Sequence, residues 1–187
     1  MTGQRSDARR NYTHILAVAE AEVAAQGAQA SLEQIARIAG VGSATVRRHF
    51  PTRKALLEAV FNQRVHGLCD RAHTLLGEHD SRSALVEWLR ELLAYSLDAR
   101  GLADVLSYQP LQDEGTQDSC AQAIGAAGAL LLRRAIDDQT VRADITIDDL
   151  LILIVGIALA TENYTDPAMQ ADRAFRLAVA GFGANGS

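Results

Sequence analysis

Between Ser31 and Pro51 two short, apolar-patterned runs are separated by Gly40-Val41-Gly42, and this interruption constrains the chain more than any other feature. Ser31 with Gln34 three residues on is a capping-box signal, so a short helix is expected to start at Leu32 and to end near Ala39. Gly40 can take the left-handed backbone conformation that closes a helix. A further helix is predicted from Ser43 to Phe50, where Pro51 prevents continuation. Two short helices joined by a glycine-containing turn form a helix-turn-helix. The spacing agrees: Ala36 is small where the helices would cross, Gly40 follows four residues later, and Val46 six later again. Leu32, Ile35, Val41, Val46 and Phe50 are then expected to pack the motif against a preceding helix.

The remainder also reads as helix, because the alternation expected of strands is missing. A first helix is predicted over about Ala8 to Gln26, with Ile15, Leu16, Ala19 and Val23 on one face and Gly27 as its stop. Thr52 is expected to cap a long helix reaching about Leu76. Further helices are expected over Arg82 to Ala99, Leu102 to Tyr108 and Gln117 to Gln139. Ile147 to Asn163 follows, opened by a Thr146/Asp149 capping box, and then Ala168 to Gly181 with Pro167 in its first turn. The expected fold is all-α, about nine helices. A three-helix helix-turn-helix DNA-binding domain over residues 8–56 precedes a helical ligand-binding and dimerisation domain over 57–182.

The third helix carries the chemistry. At about 100° per residue Val46 and Phe50 point within about 40° of each other and define its buried side. Arg48 then points away from the core, flanked by Ala44 and Thr45, with Arg47 and His49 on the shoulders. Such a helix suits a DNA major groove. Arg48 can reach a guanine edge with two hydrogen bonds, and Ala44 can touch a thymine methyl. Thr45, Arg47 and His49 can grip phosphates, and Ser43 stands at the helix start beside them. Arg53 and Lys54, at the N-terminus of the fourth helix, offer a further phosphate site. The competing reading, a solvated basic face, leaves the turn spacing and the cap unexplained.

Charge distribution agrees with this placement. Residues 1–66 hold 9 basic and 5 acidic side chains, whereas residues 67–187 hold 9 and 18. A basic front end on an acidic body is the pattern of a chain that meets a polyanion at one end. The start of the chain has no apolar signal core, and the longest apolar run, Leu150 to Ala160, is too short to span a bilayer. Two cysteines, Cys69 and Cys120, make no disulfide framework, so a reducing cytoplasm and no membrane partner are expected.

The run "SLEQIARIAGVGSATVRRHFPTRKALLEAVF", with Ile35-Ala36, Gly40-Val41 and the stretch His49 to Leu57 as its most specific parts, resembles the N-terminal domain of TetR-family transcriptional regulators. The resemblance covers about Arg9 to Phe61. It departs at Gly42, where the family has Ser or Thr, and at Val46-Arg47, where it has Leu-Tyr. It implies a sequence-specific homodimeric regulator, most often a repressor. Such a protein binds a palindromic operator in double-stranded DNA and is released by a small molecule bound in the C-terminal body.

In that body Ile147 to Ala160 is apolar nearly all round, as expected of a helix buried on every side. Its own core and a symmetric partner are both possible neighbours. The expected dimer-interface residues are Leu151, Ile154, Val155 and Ala158 here, with Phe175, Ala178 and Phe182 on the last helix. Trp88, Leu92 and Tyr95 share one helix face, and with Tyr108 they are the effector-pocket candidates, although such stripes more often build core. His66, Cys69 and His73 share a face too, but the outer two stand about 10 Å apart along the axis, too far for one metal. No metal, no cofactor and no enzyme activity is expected, since no phosphate loop, nucleophile elbow or metal-binding helix motif appears. The alternative is a helical small-molecule- or partner-binding protein that keeps the helix-turn-helix as scaffold.

Overall fold

A computed structural model describes residues 2–26, 30–77, 80–107 and 114–181. Among them are eight helices and no strand: α1 (Thr2–Gln26), α2 (Leu32–Ile38), α3 (Ser43–His49), α4 (Arg53–Leu75), α5 (Ser81–Ser107), α6 (Glu114–Asp137), α7 (Ile147–Thr161) and α8 (Pro167–Gly181). The all-α expectation holds. The count falls one short of nine because Arg82–Ala99 and the piece beginning at Leu102 are a single helix, α5. Gly101 between them is tolerated, since one interior glycine costs only about 1 kcal/mol relative to alanine.

The chain divides into two compact units. The first runs through Gln63 and takes the end of α5 from Asp98; the second comprises Arg64–Leu97 with α6, α7 and α8.

The first unit is centred on one apolar cluster. Ile15, Leu16, Ala19 and Val23 form the buried stripe of α1, and Ile35 and Ala36 come from α2. Val46 and Phe50 join them from α3 and its C-cap, with Leu56, Leu57 and Val60 from α4. Leu32 and Val41 are half-buried against this cluster. Burying a side chain of this size contributes about 1.5–3 kcal/mol, so Val46 and Phe50 fix α3 about its own axis. The His14 ring N–H donates to the Ala39 carbonyl at 3.2 Å, tying α1 to the end of α2.

The second unit has its own core, in which Trp88, Leu131, Leu150, Ile154 and Phe175 meet. Trp88 is fully buried, and its indole N–H donates to the Leu68 carbonyl at 2.9 Å, so no polar atom is stranded. Arg71 on α4 reaches both Glu87 and Glu91 on α5, the latter at 3.0 Å. The opening of α7 is the reciprocal box foreseen in the sequence: the Asp149 amide donates to Thr146 Oγ1 at 3.2 Å, and the Thr146 amide donates to the Asp149 carboxylate at 2.9 Å. α7 packs against α6 and α8.

Candidate nucleic-acid interface

The helix-turn-helix is assembled from local backbone chemistry. Ser31 caps α2, its hydroxyl oxygen accepting from the Gln34 amide at 3.4 Å. The second half of the expected box is replaced: Gln34 Oε1 accepts from Arg37 Nη2 at 2.8 Å. At the other end the Val41 amide donates to the Ala36 carbonyl at 3.0 Å and the Gly40 amide to the Arg37 carbonyl at 3.3 Å. That double closure is a Schellman motif, and it requires the left-handed φ of +65° found at Gly40. Any side chain there would be strained by about 1–2 kcal/mol.

α3 follows with Gly42 as its N-cap and no side-chain cap bond. Ser43 is already the first helical residue and does not take over the capping role. The Gly42 carbonyl accepts from the Thr45 amide at 2.8 Å, and glycine as cap costs only a few tenths of a kcal/mol relative to serine.

This frame decides where the candidate DNA-contacting side chains go. Val46 and Phe50 face inward, at 0% and 1% exposure. Ser43, Ala44, Arg47 and Arg48 are exposed, and Thr45 is half-buried. His49 is half-buried, its ring edge-to-face with Tyr12 at 5.7 Å, and Tyr12 also lies against Phe50 at 5.3 Å. Tyr12 therefore props the C-terminal end of α3 from α1. Sequence reading missed it, because a lone aromatic beside the α1 stripe carries no pattern of its own.

The two arginines differ. Arg47 Nη2 donates to Glu33 Oε1 at 2.6 Å across the turn. This contact holds the Glu33 carboxyl below its ordinary range. Glu33 was also missed: alone, an acidic residue in the first turn of α2 reads as a partner for the helix dipole. Arg48 stands on the side of α3 opposite its buried residues.

At the start of α4, Thr52 caps the helix, its hydroxyl accepting from the Ala55 amide at 3.1 Å. Arg53 is half-buried, and its Nε and Nη2 atoms are buried with no hydrogen-bond partner among the described residues. To meet a phosphate this part of the guanidinium would have to leave its buried position. Lys54 is exposed and lies 3.7 Å from Glu58.

In the second unit the other candidates separate. Trp88 and Leu92 are buried in the core, at 0% and 5% exposure, while Tyr95 is half-buried against it. Ile154, Ala158 and Phe175 each retain 1% exposure, so they face their own core and offer no surface to a partner chain. Leu151 and Ala178 are half-buried and Val155 is exposed. The apolar surface of α7 is instead the row Ile152, Val155 and Leu159, and α8 adds Leu177. Tyr108 and Phe182 lie outside the described residues. His73 Nδ1–H donates to the Cys69 carbonyl at 2.8 Å, and no group of three or more metal-ligating side chains gathers among the described residues. No helix among the described residues is long and apolar enough to cross a membrane.

A glycine-turned helix pair on a three-helix core, with arginines aimed outward from the second helix, defines a helix-turn-helix DNA-binding regulator. Residues 15–60 match the bacterial regulatory proteins of the tetR family, and residues 80–184 match the C-terminal domain of SbtR-like transcriptional regulators. A TetR transcriptional regulator from Streptomyces coelicolor is 35% identical, with 94% of this chain and 99% of that one aligned and a TM-score of 0.78. A TetR regulatory protein from Mycobacterium vanbaalenii is 33% identical over 96% of this chain and 99% of its own, with a TM-score of 0.76. Reduced NemR from Escherichia coli shares the fold at 16% identity, over 93% and 97% of the two chains, with a TM-score of 0.69. No curated protein matches the chain. The chain belongs to the TetR family of transcriptional regulators.

Proposed function

We propose that this regulator is a cytoplasmic homodimeric repressor that reads a palindromic operator and is released from it by a small-molecule effector. The observation that carries the DNA-reading part is the orientation of α3: Val46 and Phe50 are locked inward, which leaves Arg48 and Ala44 outward for base edges. Thr45, Arg47, His49, Arg53 and Lys54 position the duplex through its phosphates, with Ser43 at the rim. The DNA-binding part is taken as residues 8–56 and the effector and dimer part as 57–182.

The dimer reading is supported by Ile152, Val155 and Leu159, spaced i, i+3, i+7 along α7 and 49% exposed or more. A row of large apolar side chains on one helix face marks an interaction surface. Two-fold symmetry would set the two recognition helices about 34 Å apart, one turn of DNA. The effector is placed in the second unit. Of the aromatic stripe there, Tyr95 has surface to offer a ligand, whereas Trp88 and Leu92 serve the core. An effector that prefers one arrangement of the dimer shifts operator affinity by about 5- to 150-fold for a coupling of about 1–3 kcal/mol.

Selection of bound sequences from a random duplex pool tests the reading. The expected result is an enriched palindrome whose affinity falls steeply with salt, and an Arg48→Ala variant that loses about 1–3 kcal/mol of discrimination at one base position of each half-site. A folded dimer that enriches nothing at low salt would overturn it.

A further inference from the structure

We propose that Glu33 sets how tightly the protein holds DNA of any sequence, by competing with phosphates for Arg47. The inference rests on α3 being the DNA-reading helix.

Glu33 and Arg47 are fourteen residues apart and meet across the turn at 2.6 Å, with 63% and 61% of their side chains exposed. The carboxylate is held from both sides, since Glu33 Oε2 accepts from the Ser31 hydroxyl at 3.1 Å. Ser31 in turn caps α2, so the acceptor is anchored to the helix start and is not a free tail. The bond from Arg47, followed by the backbone amide and Ser31, keeps the Glu33 carboxyl below its ordinary range, so it is ionised at neutral pH.

An exposed ion pair of this kind contributes little to folding. Its consequence lies in what Arg47 does next. A phosphate must draw the guanidinium from an anchored carboxylate, or share it with a negative charge left at the edge of the interface. Arg48, the next residue, faces away from the core and stands as the base-reading partner. The pair thus discounts a sequence-independent contact and leaves the sequence-reading one alone, which lowers affinity for DNA of every sequence alike.

The size follows from counterion release, about 0.9 in the slope of log K against log salt per phosphate neutralised, or about fivefold in affinity at 0.15 M salt. The test measures binding of the full chain to a duplex of scrambled sequence over about 0.05–0.3 M KCl, where such contacts dominate. In the proposed dimer the substitution frees two arginines, so Glu33→Gln is expected to bind about 30-fold tighter with a slope steeper by about 1.8. In an Arg47→Ala background the same change should be silent. Glu22→Gln, which removes a charge from α1, should match wild type. Equal or weaker binding by Glu33→Gln, a gain that persists without Arg47, or a gain reproduced by Glu22→Gln would each overturn the proposal. Wild-type protein that holds no duplex even at the lowest salt would remove the DNA-reading helix and this inference together. Wild type that binds, matched by Glu33→Gln, removes only the inference.

Discussion

Replacing Gly128 with alanine tests how tightly the second unit is packed. Gly128 lies inside α6, where helix propensity alone favours alanine by about 1 kcal/mol. The surroundings argue the other way. A methyl carbon there would stand 2.6 Å from Trp88 Cη2 and Cζ3 and from Ile147 Cδ1. Carbon atoms rest at about 3.5–4.0 Å, so the neighbours must retreat by about 1 Å. Ile147 can swing its terminal methyl aside. Trp88 cannot, because it is fully buried and its indole N–H is held by the Leu68 carbonyl at 2.9 Å. Overpacking of this kind costs about 1–3 kcal/mol, and loss of the indole bond would add about 1 kcal/mol. After the propensity gain is subtracted, Gly128→Ala should be destabilised by about 1–3 kcal/mol, a fall in Tm of about 2–4 °C for each kcal/mol. The chain has a single tryptophan, so its emission reports both the melt and the altered contact. The melts are compared at one protein concentration, since association shifts Tm. A raised Tm with unchanged native emission would refute the reasoning and show that the space beside Trp88 holds slack.

Two further outcomes follow. Val155→Asp on the exposed face of α7 should leave the helical circular dichroism intact and convert the proposed dimer to monomer in sedimentation velocity; a dimer unchanged by it would place the interface elsewhere. Asp149 is held below the ordinary aspartate range by its bonds from the Thr146 hydroxyl and amide, so its stabilisation is complete above that range and is lost as pH falls through the lowered value. Wild type and Asp149→Asn should therefore differ in Tm at neutral pH and converge in acid, and a pH-independent gap would show that the cap acts without its charge.

What was legible in the sequence was what is decided within a few residues. The left-handed Gly40, the Ser31, Thr52 and Thr146 caps and the inward pair Val46 and Phe50 all follow from contacts no more than five positions apart. The Arg47–Glu33 pair spans fourteen positions and exists only once the turn has folded, so no local pattern announces it. The join of two expected helices into α5 was hidden because one glycine weighs too little to interrupt a long helix.

α7 shows the limit most sharply. Its run Leu150–Ala160 is apolar all round, so periodicity has no face to choose, and Ile154 and Val155 look alike as residues. The choice is made by α6 and α8, which cover Ile154 and Ala158 and leave Ile152, Val155 and Leu159 in the open. A helix this apolar that served only its own core would gain nothing from three large side chains on its outer face. On the dimer reading proposed above, the composition of α7 answers two packing tasks, one finished by α6 and α8 and one that a second chain would complete.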